Sequence, residues 1–168
     1  MLHLDVRACF YSVDLSVLRG LLAHRIRDRA FLAVLDRVLD SGAGLLDGLG
    51  RRAWLGFSAD WPPPGRGLPL GAQTSQFLVT HVVFNGLDHH IKRALKVPGY
   101  VRYVDDLFLF VDGRKTLERW RGAIGAWLAA ERNQRLKHPR APVLSCRGTL
   151  HALGQRARRE GIRPGSAP

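Results

Sequence analysis

Gly99-Tyr100-Val101-Arg102-Tyr103-Val104-Asp105-Asp106-Leu107-Phe108-Leu109-Phe110-Val111 decides how this chain is read. Two apolar runs rich in aromatic and β-branched residues, Gly99 to Val104 and Leu107 to Val111, flank a pair of adjacent acids. That is the pattern of two antiparallel strands joined by a tight turn. An Asp-Asp pair is ordinary turn chemistry at such a junction, so taken alone the stretch predicts a polar hairpin tip.

A third acid changes the reading. Leu2-His3-Leu4-Asp5-Val6 is a short apolar strand pattern that continues to Cys9-Phe10, predicting a strand near residues 2–9. Asp5 on that strand is placed to converge with Asp105 and Asp106 across a sheet. Carboxylates are hard oxygen ligands suited to Mg²⁺, and two such ions roughly 3.5–4 Å apart activate an attacking oxygen and stabilise a leaving one in phosphoryl transfer.

Tyr100 to Phe110 resembles the active-site hairpin of reverse transcriptases. The run Leu4-Asp5-Val6-Arg7-Ala8-Cys9-Phe10-Tyr11-Ser12-Val13-Asp14 resembles the first metal-binding strand of bacterial retroelement polymerases, a group that includes group II intron-like enzymes. Gly67-Leu68-Pro69-Leu70-Gly71-Ala72-Gln73-Thr74-Ser75-Gln76-Phe77 resembles their loop and helix start beside the incoming nucleotide and template. Phe84-Asn85-Gly86-Leu87-Asp88-His89-His90-Ile91-Lys92-Arg93 resembles the helix that follows. Most bacterial members carry Gln before that Gly and Pro after that Ser. Leu70 and Gln76 stand there in this chain, a variant similar to the polymerases of diversity-generating retroelements.

The resemblance implies an α+β polymerase palm, an antiparallel sheet backed by helices. It implies Asp5 and Asp105 as ligands of two Mg²⁺ ions, with Mn²⁺ as a possible substitute, and Asp106 as a supporting acid at the same metals. Phe10 is then the aromatic gate that collides with a ribonucleotide 2′-hydroxyl. Leu70, Gly71, Ser75, Gln76 and Tyr103 are implied to contact nucleotide or template. In the subfamily this loop is associated with error-prone copying opposite template adenines. The partners implied are an RNA template, a DNA or RNA primer, deoxynucleoside triphosphates and a small basic accessory protein.

Departures accompany the matches. Leu136-Lys137-His138-Pro139-Arg140-Ala141 resembles a late palm motif with Ala141 where Lys is usual, leaving Lys137 as the candidate substitute. Leu153-Gly154-Gln155 resembles a primer-holding Leu-Gly-Tyr sequence with Gln155 in place of the aromatic. The matching blocks run from about Leu2 to about Gly161, so the expected layout is a palm over 1–161 and a flexible tail over 162–168. Fingers are expected to be absent, and a thumb absent or vestigial.

The remaining organisation agrees with a mixed fold. Asp14 or Ser16 is expected to cap a helix through Leu15, Leu18, Leu21, Leu22 and Ile26, and a second helix runs through Phe31, Leu32, Leu35, Val38 and Leu39 to Gly42. Residues 41–72 read as a long connection with little regular structure. Thr74 or Ser75 is expected to cap a helix whose stripe is Leu78, His81, Val82, Leu87 and Ile91, imperfectly spaced around Asn85-Gly86. A helix from about Lys115 to Ala130 and a strand pair around residues 143–158 complete the chain. His89 and His90 read as helix-surface residues.

With 168 residues and 46% apolar content the chain suffices for one domain with a real core. A charge of +12, from 26 Lys and Arg against 14 Asp and Glu, suggests a polyanionic partner bound through salt-sensitive phosphate contacts. The alternative source of that charge is a GC-rich genome. Cys9 and Cys146 make no disulfide framework or metal-ligand spacing and read as buried thiols of a reducing cytosol. No stretch approaches the roughly 20 apolar residues of a membrane span, so no membrane partner and a cytoplasmic location in a bacterium or phage host are expected.

Three functions stay open at this point. The first is RNA-directed DNA synthesis by two-metal nucleotidyl transfer. The second is a truncated, catalytically incompetent palm fragment that binds nucleic acid without polymerising. The third is a two-metal nuclease using the same acids, which leaves Phe10 and the Leu70-to-Gln76 loop unexplained.

Overall fold

In the computed structural model, which describes residues 1–42, 49–58, 60–147, 149–152, 155–158 and 161–164, the alternating Leu2-His3-Leu4-Asp5 run is a strand, β1 (Leu2–Asp5). It pairs antiparallel with β3 (Asp106–Phe110), which pairs antiparallel with β2 (Gly99–Tyr103), giving the sheet order β1-β3-β2. The free edge of β1 is partly covered. Leu2 bridges to Val143, Val6 bridges to Leu136, and the Arg7 amide donates to the Arg135 carbonyl at 2.9 Å.

Period-two alternation sends one set of side chains to the helices and the other outward. Leu2 lies opposite Leu109 and Leu4 opposite Leu107, all fully buried. Behind them pack α2 (Leu15–Arg25), the long helix α7 (Arg114–Arg132) and the helical run 73–94. Leu18, Leu22, Phe84, Leu87, Ile91, Leu117, Ile124 and Leu128 supply that face of the core. The architecture is mixed α+β.

Asp14 caps α2, its carboxylate accepting from the Ser16 and Val17 amides. The second expected helix is α3 (Arg29–Asp40), capped by Asp28 and stopped at Ser41-Gly42. Only its Leu39 is buried, and Phe31, Val34 and Val38 are exposed.

The strand expected over 2–9 is shorter than its composition suggests. Ala8 takes a left-handed conformation (φ 43°, ψ 54°), and Cys9 to Ser12 form a single helical turn, α1 (Cys9–Ser12). The Gly/Pro/Arg-rich connection is not wholly irregular either, since Leu49-Gly50-Arg51-Arg52-Ala53-Trp54 forms a short helix, α4 (Leu49–Trp54). Gly56, at φ 72°, follows its end.

The run 73–94 explains the imperfect spacing of its apolar residues. It begins as α5 (Gln73–Phe77), opens into a π-helical turn over Leu78–Val83, resumes as α6 (Asn85–His89) and opens again over His90–Ala94. Each widened turn shifts the buried stripe by one residue, as the Phe84 amide reaching Val79 O and the Leu95 amide reaching His90 O show. The stripe is therefore Leu78, Val79, Val82, Val83, Leu87 and Ile91, and His81 is exposed against Phe77. Neither Thr74 nor Ser75 caps the helix. Ala72 sits at the cap with no side-chain bond. Gly86 is required by packing, because a Cβ there would meet Arg132 Nη2 at 2.6 Å and the Trp127 ring at 3.1 Å.

The expected strand pair at 143–158 is a separate three-stranded antiparallel sheet of β4 (Leu150–Ala152), β5 (Gln155–Arg158) and β6 (Gly161–Pro164). The expected tail boundary falls inside β6, and residues 165–168 lie outside the described residues. Cys9 is buried as expected, whereas Cys146 is exposed. His89 is exposed, and His90 stacks on Trp127 with ring centroids 6.0 Å apart. Among the described residues no helix is long and apolar enough to cross a membrane.

Candidate active site

The outward face of the sheet carries the acids. Asp5 is the direct register partner of Asp106, which in turn faces Tyr103. One step along the same face, His3 faces Phe108 and stacks on it with centroids 4.5 Å apart. The tight turn is Val104-Asp105, because Tyr103 and Asp106 still pair; Asp106 opens β3 instead of sharing the tip. Val104 has φ 53°, a position that hairpins normally give to glycine. For a β-branched residue this conformation is strained, on the order of 1–3 kcal/mol.

Each carboxylate has a distinct environment. Asp5 accepts from Lys137 Nζ at 2.8 Å, and the Lys137 amide donates to the Asp5 carbonyl at 2.8 Å. The hydrogen bond to Asp5 and its charge, with Asp105 and Asp106 beyond, hold the Lys137 ammonium above its ordinary value. Asp106 Oδ1 meets His3 Nε2 at 2.5 Å. Among the described residues Asp105 has no such side-chain partner. Burial pushes its carboxyl above the usual range, repulsion from Asp5 and Asp106 adds to this, and a backbone hydrogen bond and Lys137 oppose it only in part. Burial first, and then the charges of Asp105 and Asp5, push the Cys9 thiol above its ordinary value.

An open cleft of about 360 Å³ lies against this turn, lined by Phe10, Leu70, Gly71, Ala72, Gln76, Tyr103, Val104, Asp105 and Asp106. Its wall is assembled by backbone pairing. The Gly67 amide donates to Val13 O and the Leu68 amide to Phe10 O, both at 2.9 Å, which lays the 65–68 segment along α1 and carries Leu70-Gly71 to Phe10. Gly71, at φ 90°, makes the turn into α5. Leu70 (63% exposed) and Tyr103 (57% exposed) present apolar surface to the opening.

Of the residues singled out in the sequence, Phe10, Leu70, Gly71, Gln76, Tyr103, Asp105 and Asp106 thus meet in one cleft, with Asp5 and Lys137 on the adjoining sheet face. Ser75 does not join them. It is buried on the inner side of its helix, where one residue of helical rotation separates it from Gln76. Ala141 is buried, while Lys137 supplies the amine beside the acids. Leu153 and Gly154 of the primer-holding resemblance lie outside the described residues, and Gln155 opens β5.

His3, Arg102 and Asp88 were missed in the sequence. Parity gives the signal for the first, since residue 3 must share a sheet face with residue 5. Parity also places Arg102 and Tyr100 opposite Leu107 and Leu109, facing the helices. There Asp88 accepts from Tyr100 Oη at 2.8 Å and from Arg102 Nε at 2.8 Å and Nη2 at 2.5 Å. Burial and this charged, hydrogen-bonded Asp88 push the Tyr100 hydroxyl well above its ordinary value.

The donor set suits a hard divalent cation. Asp5, Asp105 and Asp106 offer only carboxylate oxygens, and their mutual repulsion is a surplus of negative charge that a cation relieves. Among the described residues no three acid, histidine or cysteine side chains already close on one point. Lys137 and His3 instead occupy one oxygen each of Asp5 and Asp106. No family model matches the chain, and no curated protein matches it.

Proposed function

We propose that this chain is the palm of an RNA-directed DNA polymerase, with the loop variant of diversity-generating retroelements. The observation that carries the reading is the cleft, which collects the sugar-gate candidate Phe10, the Leu70-Gly71 loop, Gln76 and Tyr103 beside Asp105 and Asp106 from three separate sequence blocks. A hairpin tip that was polar only for solubility would have no need of a shaped apolar wall opposite it.

In this reading Asp5, Asp105 and Asp106 hold two Mg²⁺ ions on the sheet's outer face. Bound there, Mg²⁺ supplies the charge that favours attack of a primer 3′-hydroxyl on the α-phosphorus of a deoxynucleoside triphosphate, with pyrophosphate leaving. The chain's own work is positioning and exclusion. Phe10 crowds the 2′ position of the sugar. Tyr103 and Leu70 offer flat apolar surface to base or ribose, and Gln76 offers an amide to a template base edge. Lys137 is placed to offset phosphate charge beside Asp5. Arg-rich surface supplies salt-sensitive attraction to template and primer. The work is that of a cytoplasmic enzyme in a bacterial or phage setting.

The test is template dependence. A primer annealed to RNA templates that differ only in the next base should accept the complementary deoxynucleotide, with relaxed choice opposite adenine. Incorporation that ignores the template, or cleavage of the strand without extension, would overturn the reading and favour the nuclease. A folded sample that binds the duplex and extends nothing would favour a palm fragment without polymerase activity.

A further inference from the structure

From the geometry around the hairpin we infer that Arg102, clamped by Asp88, is the positioning residue that holds the Val104-Asp105 turn in shape and so aims the Asp105 carboxylate; this inference rests on the metal-centre reading above. Arg102 lies on the helix side of β2, with only 10% of its side chain exposed. Its guanidinium makes a fork–fork pair with Asp88 and spans two further elements: Nη1 donates to the carbonyl of Val104 at 3.0 Å, and Nη2 to the carbonyl of Thr80 at 3.0 Å. It sits 5.6 Å from the centre of the buried Phe84 ring.

One side chain therefore ties the turn to the π-helical segment at Thr80 and to α6 at Asp88. The Val104 carbonyl belongs to the very residue held at φ 53°, and it is the atom that leads into Asp105. A turn strained at Val104 would relax if released, and relaxation would rotate the following peptide and the Asp105 side chain with it. The Arg102 bond opposes that rotation. Lysine cannot replace this function, because a point-like ammonium lacks the planar fork that reaches three acceptors at once.

The proposal is tested on the full chain with two readouts, amide hydrogen exchange without metal and Mn²⁺ affinity. The variants are Arg102→Lys, Asp88→Asn, Val104→Gly, Arg102→Lys with Val104→Gly, and Asp105→Asn. Arg102→Lys and Asp88→Asn should speed exchange at residues 103–106 while leaving β1 protected, and should weaken Mn²⁺ binding about tenfold or more, the usual scale for a residue supporting a metal ligand. Glycine accepts the left-handed conformation without strain, so Val104→Gly should restore part of the affinity lost in Arg102→Lys. A merely structural role would lower protection throughout the sheet and show no such rescue. Unchanged exchange and affinity in Arg102→Lys, with Asp105→Asn abolishing Mn²⁺ binding, would overturn the clamp and leave the metal centre standing. Mn²⁺ binding absent from the unmutated chain, or indifferent to Asp105→Asn, would overturn the metal-centre reading and this inference with it.

Discussion

Asp5 and Asp106 are direct cross-strand partners in the β1–β3 ladder, two like charges placed where a sheet ordinarily avoids them. Each is met by a side-chain nitrogen from its own side, Lys137 Nζ at 2.8 Å and His3 Nε2 at 2.5 Å. Asp105, at the turn, receives no such side-chain partner among the described residues and is held above the usual carboxylate range by burial and by its two neighbours. A fold selected for stability alone has no use for this arrangement, whereas a cation-binding centre does.

Asp105→Asn should therefore make the metal-free protein more stable at neutral pH. A carboxyl whose folded pKa is raised binds more protons in the folded state than in the unfolded one, so its contribution to stability falls as pH rises through the window above about 3.9. The melting temperature of Asp105→Asn minus that of the unmutated chain should be positive at pH 7 and shrink as pH falls through that window. Mg²⁺ should narrow the same gap at pH 7 by stabilising only the unmutated chain. A variant less stable at every pH would contradict the electrostatics.

Lys137→Met removes the ammonium hydrogen-bonded to Asp5 and should lower extension activity about 10- to 100-fold, the scale for losing a group that supports a metal ligand. Its fold should survive, because Lys137 is largely exposed. Far-UV circular dichroism against single-nucleotide extension separates the two effects. Equal activity would remove Lys137 from the site.

Phe10→Ala should relax sugar selection. The ratio of ribonucleotide to deoxynucleotide incorporation is expected to rise roughly tenfold or more, on the scale of discrimination by apolar crowding. Competition between the two substrates at a single template position measures it, and an unchanged ratio would leave Phe10 as only a wall of the cleft.

Gly86→Ala probes the helical run behind the sheet. The added Cβ has Arg132 and Trp127 in its way, and Arg132 is buried with its Nε donating to Val83 O at 2.7 Å. Overpacking there should cost about 1–3 kcal/mol by chemical denaturation. A neutral substitution would mean that Trp127 and Arg132 repack freely.

The hairpin, the acid on the first strand and the Asp14 cap were legible because each depends on a local rule: alternation, turn composition, a side chain beside free amides. Phe10 and Leu70-Gly71 were legible only through resemblance, since nothing local announces that the 65–68 segment pairs with α1. The helical run 73–94 resisted a 3.6-residue period because π turns widen it twice, so His81 was assigned to the buried face; Ser75 was assigned to the binding face by resemblance alone, and its place on the inner side of α5 sets it apart. Arg102 and Asp88 were hidden for another reason. A charged residue on the core side of a strand violates the expected pattern, and only the tertiary partner fourteen positions away explains it.

Single-nucleotide extension of a primer on an RNA template, with Mg²⁺ and deoxynucleotides, measures the role of the acid cluster most directly when the unmutated chain is set beside Asp105→Asn. Mg²⁺-dependent extension by the unmutated chain, reduced at least about 100-fold in a folded Asp105→Asn, is the predicted result. Equal extension by the two proteins, or none by a folded unmutated chain, would contradict it.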